Sequence, residues 1–370
     1  MSELTLRTGR AGPHAEAIGA ARQAIARAQA AAQEVRFDEA LAWYAEAAKR
    51  TLDHPAGLAV RADALRGASI VHQALAEWPA AERALEASRK AAIELGDEGR
   101  IGRAYNCFGA VAFERGEWSA AERHYAEGRR AAEAADDKEL LAQIENNLGT
   151  LLAARGEHTQ AEEAFRRALA EFEDLNQHPC VARVLNNLGL VLVKQDRHAQ
   201  AASAYDRALA HCKYHGDALF ATKILINQAR LSLARQDGIQ AHASAVKAWS
   251  FARRLKDGPV AAGALCLLGE VALGFRDFVG AIYYLRRALN LTAGNKAPLV
   301  EAETWVQIGN LYREQGKLDR AIDTWQFARL CYRRLGAHLE AERVAERIDA
   351  ANLVGASVHQ AQNPARTCAA

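Results

Sequence analysis

Six asparagines stand in two matched series: Asn106, Asn146 and Asn186 recur every 40 residues, and Asn147, Asn187 and Asn227 keep the same interval. An asparagine side chain offers an acceptor oxygen and two N–H donors. A row of them can pair with the main chain of an extended peptide whatever that peptide's sequence. Helix interiors disfavour asparagine, so its regular return within apolar-periodic segments calls for a reason. Two readings compete: rungs for a bound peptide, or amides that bond the backbone of a neighbouring hairpin. Arg103, Arg183, Lys194, Lys223 and Arg230 bring positive charge to the same stretch, whereas Glu270, Glu303 and Glu314 mark the segment after it. Such a bipolar wall is expected to take an acidic peptide, with charge setting register and encounter rate more than final affinity. The competing reading of these charges is an ordinary solvated helix face. Phe113, Leu190, Val193 and Ile226 offer either apolar anchors for that peptide or plain packing.

Other chemistries find little support. His211 and His215 lie one helical turn apart with Cys212 between them, but two or three ligands near a helix end make an incomplete metal site, and no metal is expected. The competing role is favourable interaction of the histidines with a helix end. No phosphate loop, Gly-x-Ser-x-Gly or His-Glu-x-x-His occurs, and the carboxylates follow surface spacing, so neither catalysis nor a cofactor is expected. The six cysteines are scattered without a C-x-x-C pair, which points to reduced thiols. A net charge of +2 gives no global argument for nucleic acid. No run reaches the apolar length of a membrane span, and the first residues lack the order of a secretory signal. A cytoplasmic protein is expected.

The elements that position these amides announce themselves by a shared beat. Ala121, Ala161, Ala201, Ala241, Ala281 and Ala321 are each 40 residues apart. Twelve residues upstream run Gly109, Gly149, Gly189, Ala229, Gly269 and Gly309, and a bulkier series follows at Tyr125, Phe165, Tyr205, Ala245, Leu285 and Trp325. Small, small and large in register imply stacked helical hairpins. In one unit, Ile144, Leu148, Leu151 and Leu152 keep helical spacing, Gly156 breaks the helix, and Ala161, Ala164, Phe165, Ala168, Leu169 and Phe172 form the stripe of the next. Gly149 and Ala161 leave room for close backbones, and Phe165 is assigned to the space against the following hairpin. Counting back through Ala81 with Leu85, and Ala40 with Tyr44 after a one-residue slip, gives eight hairpins. The expected organisation is a flexible start over 1–13, the array over 14–336, a capping helix over 337–353 and a disordered tail over 354–370.

These residues resemble the tetratricopeptide repeat family, in which a bulky residue and Leu-Gly are followed by Ala, an aromatic and another Ala. The unit that matches best reads Trp305, Ile308, Gly309, Tyr312, Ala321, Trp325 and Ala328. Ser69 and Ala229 depart from the pattern, and the 40-residue period exceeds the ~34 of the common repeat. The run from His178 to Gly189, with Asn186-Asn187-Leu188-Gly189, is similar to the long repeats of kinesin light chains, and related units occur in Leu-Gly-Asn-type polarity scaffolds and bacterial regulators. The resemblance implies an all-α, right-handed superhelical solenoid of about eight hairpins plus a C-terminal capping helix. Its first helices would line a concave groove that binds a protein or peptide segment without catalysis. One family mode grips a terminal carboxylate; Asn187 and Lys223 match two of its positions, whereas Leu190 and Asn227 replace its polar and basic partners. Two other functions stay open: a self-assembling structural or surface-coating protein, and a peptide-sensing regulator.

Overall fold

The computed structural model describes residues 13–51, 55–255, 257–293 and 297–362. Among the described residues the chain forms seventeen α-helices, one 3-10 turn at Pro55–Gly57 and no strand. None of these helices is long and apolar enough to cross a membrane. The chain divides into two compact units, residues 1–176 and 177–370.

The first unit holds four hairpins: α1 (Pro13–Gln33) with α2 (Phe37–Arg50), α3 (Leu58–Ala74) with α4 (Trp78–Leu95), α5 (Glu98–Glu114) with α6 (Trp118–Ala134), and α7 (Lys138–Ala154) with α8 (His158–Asp174). The second holds α9 (His178–Lys194) with α10 (His198–His215), α11 (Ala218–Ala234) with α12 (Gly238–Leu255), α13 (Gly258–Gly274) with α14 (Phe278–Thr292), and α15 (Pro298–Glu314) with α16 (Leu318–Arg334). A last helix, α17 (His338–Gln362), packs on α16. Eight hairpins and a cap follow from the sequence period.

The helices start and stop for local reasons. Asp97, Asp137, Asp217 and Asp257 cap α5, α7, α11 and α13, each accepting the backbone N–H three residues on. A carboxylate there satisfies an orphan donor and meets the positive end of the helix dipole. The turns inside the hairpins reverse through a left-handed residue in constant register, with φ of 57° at Ala76, 75° at Gly116, 83° at Gly156 and 59° at Gln236. Glycine accepts that φ without steric cost; the other types stand there because the hairpins on either side hold the turn.

Two small-residue contacts hold each hairpin shut. Ala62, Gly102, Ala142, Ala182, Thr222, Ala262 and Ala302 on first helices, and Ser88, Gly128, Ala168, Ala208, Ala248, Ala288 and Ala328 on second helices, recur at the same 40-residue interval, all buried. At this level backbones nearly touch: a methyl group added to Gly128 would meet the Gly102 carbonyl at 3.2 Å. Further along, the alanines at 121, 161, 201, 241, 281 and 321 are 0% exposed, and the bulky side chain four residues later covers the glycine of the facing helix. An added Cβ would lie 2.3 Å from the Tyr125 ring at Gly109, 2.7 Å from Phe165 at Gly149 and 2.4 Å from Tyr205 at Gly189. The Phe165 ring, assigned by sequence to the next hairpin, therefore lies over Gly149 of its own. Where the glycine is replaced by Ala229, the residue opposite is Ala245 instead of an aromatic, so bulk is exchanged across the interface.

The cap buries Ala341, Val344, Ile348 and Ala351 against Trp325, Ala328 and Tyr332. It is longer than the expected 337–353: helical backbone continues through 354–362, a stretch expected to be disordered. A lone Gly355 costs a helix only about 1 kcal/mol and does not end it. Residues 1–12 and 363–370, expected to be mobile, lie outside the described residues.

Gly149→Ala places a methyl inside the van der Waals shell of a buried ring, so unfolding in urea should show a loss of about 1–3 kcal/mol. An unchanged midpoint would mean that α7 and α8 can separate freely.

Candidate functional site

Within each unit the first helices of successive hairpins touch: α1, α3, α5 and α7 form one chain of contacts, and α9, α11, α13 and α15 the other. Among the described residues no comparable contact joins successive second helices. The first helices therefore make the tighter, inner row of each stack, with Asn106, Asn146 and Asn147 on the row of the first unit and Asn186, Asn187 and Asn227 on that of the second.

The amides are not independent rungs. In the first unit Asn147 Nδ2 donates to Asn106 Oδ1 at 2.9 Å, joining α7 to α5. In the second, Asn227 Nδ2 donates to Asn186 Oδ1 at 2.8 Å, joining α11 to α9. Each link spans 41 residues, one repeat plus one position, so one series donates to the other. Longer contacts run within the dipeptides, from Asn146 Nδ2 to Asn147 Oδ1 at 3.4 Å and from Asn186 Nδ2 to Asn187 Oδ1 at 3.5 Å. Asn186 is 8% exposed and the other five are half-buried. Neither reading of the amides anticipates side-chain pairing between neighbouring first helices. The pairing leaves the second N–H of Asn147 and of Asn227 for a further acceptor.

The charges divide into two groups. Arg183, Lys194 and Lys223 are exposed and make no ion pair among the described residues. Arg103, in contrast, reaches Asp137, the cap of α7, at 2.5 Å, which makes it a strap between successive hairpins. Arg100 does similar work with Asp63 at 2.9 Å. Arg230 is paired with Glu303, two repeats further on. The expected separation of a basic middle from an acidic end thus fails at this point, because stacking brings α11 and α15 within reach of one arginine. Burial raises the Glu270 carboxyl above its usual range, against the pull of Arg230 and Arg347. Glu314, the third acidic marker, is exposed and pairs with the adjacent Arg313 at 3.0 Å.

Among the apolar candidates, Phe113 and Ile226 pack against the hairpin cores and Val193 is half-buried, whereas Leu190 is 44% exposed. The histidine pair gains a third member: His178 Nδ1 lies 3.0 Å from His211 Nδ1, and its ring packs at a tilt against His215 and Tyr214. Among the described residues no group of three or more His, Cys, Asp or Glu is arranged to hold a metal ion. The described cysteines are free thiols. Burial pushes Cys107 and Cys266 up, and Cys212 to about 11, so these sulfurs stay protonated and weakly nucleophilic.

One inner-row residue escapes the repeat reading. Glu145, beside Asn146, has a side chain only 10% exposed and is clasped by Arg167 at 2.8 Å and Arg129 at 3.3 Å. Its signal in the sequence is a single glutamate inside the Ile144 to Leu152 stripe, with no counterpart at Leu185 or Leu225 one and two repeats on.

A tetratricopeptide repeat family model matches residues 140–213, and a second tetratricopeptide repeat model matches 302–324. No curated protein matches the chain in sequence. Among solved structures, the apo form of RapI is 16% identical with a TM-score of 0.59, covering 77% of this chain and 99% of its own. A Rap protein complexed with competence and sporulation factor is 13% identical with a TM-score of 0.59, covering 93% of this chain and 98% of its own. Yeast Tom70 is 13% identical with a TM-score of 0.56, covering 99% of this chain and 70% of its own. At these identities the likeness is one of fold.

Because Asn186 is buried and accepts from Asn227, Asn227→Ala should strand a carbonyl oxygen and lower stability by about 1–3 kcal/mol in urea unfolding. A change within error would show that the α9–α11 link adds nothing to the fold.

Proposed function

We propose, from the match of residues 140–213 and 302–324 to tetratricopeptide repeat models, that the inner row of first helices in the second unit takes an extended segment of a partner protein. The observation that supports this reading most is the line of half-buried amides flanked by exposed cations that the fold does not use. Asn227 keeps an N–H for an outside acceptor, and Arg183, Lys194 and Lys223, on the same unit, stand in water without an internal anion among the described residues. An acidic segment is the chemistry these groups fit: main-chain carbonyls to the amides, carboxylates to the cations. A Rap protein of the same fold has been crystallised with competence and sporulation factor, which supports the reading that such stacks hold another molecule. The activity proposed is binding, with no chemical step.

The pairing of the amides changes how this should be tested. Asn186 serves the fold, so its replacement mixes stability with binding. Arg183→Glu with Lys223→Glu touches exposed side chains alone. That variant should keep the wild-type melting temperature and lose acidic partners captured by the wild-type chain, as compared by mass spectrometry, and wild-type capture should weaken between low and high salt. Equal capture by both proteins would remove the electrostatic part of the proposal.

A second reading, self-association, draws on one patch of the second unit. Ile239 is 83% exposed and Val279 79%, and Phe275 lies against Gly238 with 56% of its surface open. Large open aliphatic groups in one place favour a protein contact. Light scattering should find an oligomer that Ile239→Lys with Val279→Lys converts to monomer; a wild-type monomer at all concentrations would discard this reading.

A further inference from the structure

At the carboxy-terminal end of the second unit, a cavity of about 530 Å³ opens between α11, α15, α16 and α17. The cap helix brings charge to it that a cap does not need. Ala341, Val344, Ile348 and Ala351 suffice to cover α16, yet Glu340, Arg343 and Arg347 line the cavity beside them at i, i+3 and i+7. Opposite stand Arg230 and Glu303, paired with each other. Three guanidiniums thus face two carboxylates.

The arginines are not equally engaged. Arg230 is held by Glu303, and Arg347 Nη1 donates to Asn310 Oδ1 at 3.1 Å, which fixes its direction and leaves its charge unmatched by a contacting anion. Arg343 makes no ion pair among the described residues. Deeper in the stack, burial raises the Glu270 carboxyl against the pull of Arg230 and Arg347. A guanidinium pair of this kind is suited to hold a carboxylate by parallel N–H···O bonds. The remaining wall is aliphatic: Leu299, 55% exposed, with Val300 and Val344. The cavity falls within the range of about 300–1,000 Å³ usual for ligand sites, enough for a short peptide end.

We infer that this cavity receives a carboxylate adjoining an aliphatic side chain, the carboxylate between Arg343 and Arg347 and the aliphatic group against Leu299 and Val300. The shared chemistry has two sources in a protein ligand, a free carboxyl terminus after Leu, Ile or Val, or an aspartate or glutamate next to such a residue. The inference rests on the reading of the inner row as a protein-binding surface, but it uses none of the amides or exposed cations on which that reading depends.

The test is selection of fluorescent decapeptides randomised at their last three positions, one set ending in a free acid and one in an amide, on the full chain. Enrichment of free acids with a terminal aliphatic residue identifies the carboxyl terminus as the source. Equal enrichment of amides carrying Asp or Glu beside an aliphatic residue identifies the side chain. In either case Arg343→Gln with Arg347→Gln should weaken the selected peptides at least tenfold at an unchanged melting temperature, since both side chains are exposed. Loss with that variant and not with Arg183→Glu/Lys223→Glu would uphold the cavity and leave the wall reading to its own capture test; loss with Arg183→Glu/Lys223→Glu alone would place the peptides on the wall and overturn the inference. Failure to select any peptide, selection without a carboxylate preference, or indifference to the double glutamine variant would overturn the inference.

Discussion

Every other feature of this protein depends on how closely two helix backbones approach within one hairpin. The small residues at 102 and 128, 142 and 168, and their equivalents leave nothing but main chain and methyl groups between the helices. Such proximity fixes the separation of the axes, and the bulky residue sixteen positions past each of Gly109, Gly149, Gly189, Gly269 and Gly309, an aromatic or Leu285, then fixes the rotation, because it fits only over a residue without a side chain. With distance and rotation set in each hairpin, the next must present the same face. The amide series, the aspartate caps and the left-handed turn residues all keep the 40-residue interval for this reason.

Within one hairpin the sequence was legible only in part. The small residues Gly149 and Ala161 mark the close approach of α7 and α8, whereas the ring of Phe165, expected against the following hairpin, covers Gly149 of its own, because a constant offset does not say which neighbour a side chain turns to. Side chains that act between hairpins were not legible. Asn106 and Asn147 belong to different series, and periodicity alone treats the two as parallel lines without saying that one donates to the other. Arg230 and Glu303 lie 73 residues apart, a separation that looks like segregation of charge along the chain and is contact in space. Arg103 failed as a free groove charge for a similar reason: its carboxylate is the cap of the following first helix.

The carboxy-terminal end shows a different limit. An amphipathic cap was expected from the stripe of Ala341, Val344 and Ile348, and the stripe is buried as required. What the stripe could not reveal is that the adjoining edge of the same helix looks into a cavity. A helix surface offers several edges, and which of them meets solvent, a neighbour or a recess depends on the angle at which it lands. Arg343 and Arg347 stand on that edge, opposite α15 and α11.

The exchange of bulk between Ala229 and Ala245 carries a thermodynamic consequence. In a stack where each module is coupled mainly to its neighbours, cooperativity is only as strong as the weakest joint. The α11–α12 hairpin lacks the large wedge that its neighbours close on, Tyr205 in α10 and Leu285 in α14. Its alanines are instead sealed by α13, whose Leu265, Leu268 and Val271 share their core. This hairpin borrows its order from the module that follows, so a disturbance of α13 would propagate backward into α11 before it reached any joint closed by a ring of its own. In such a protein the direction in which order is lost is written into the sizes of two side chains.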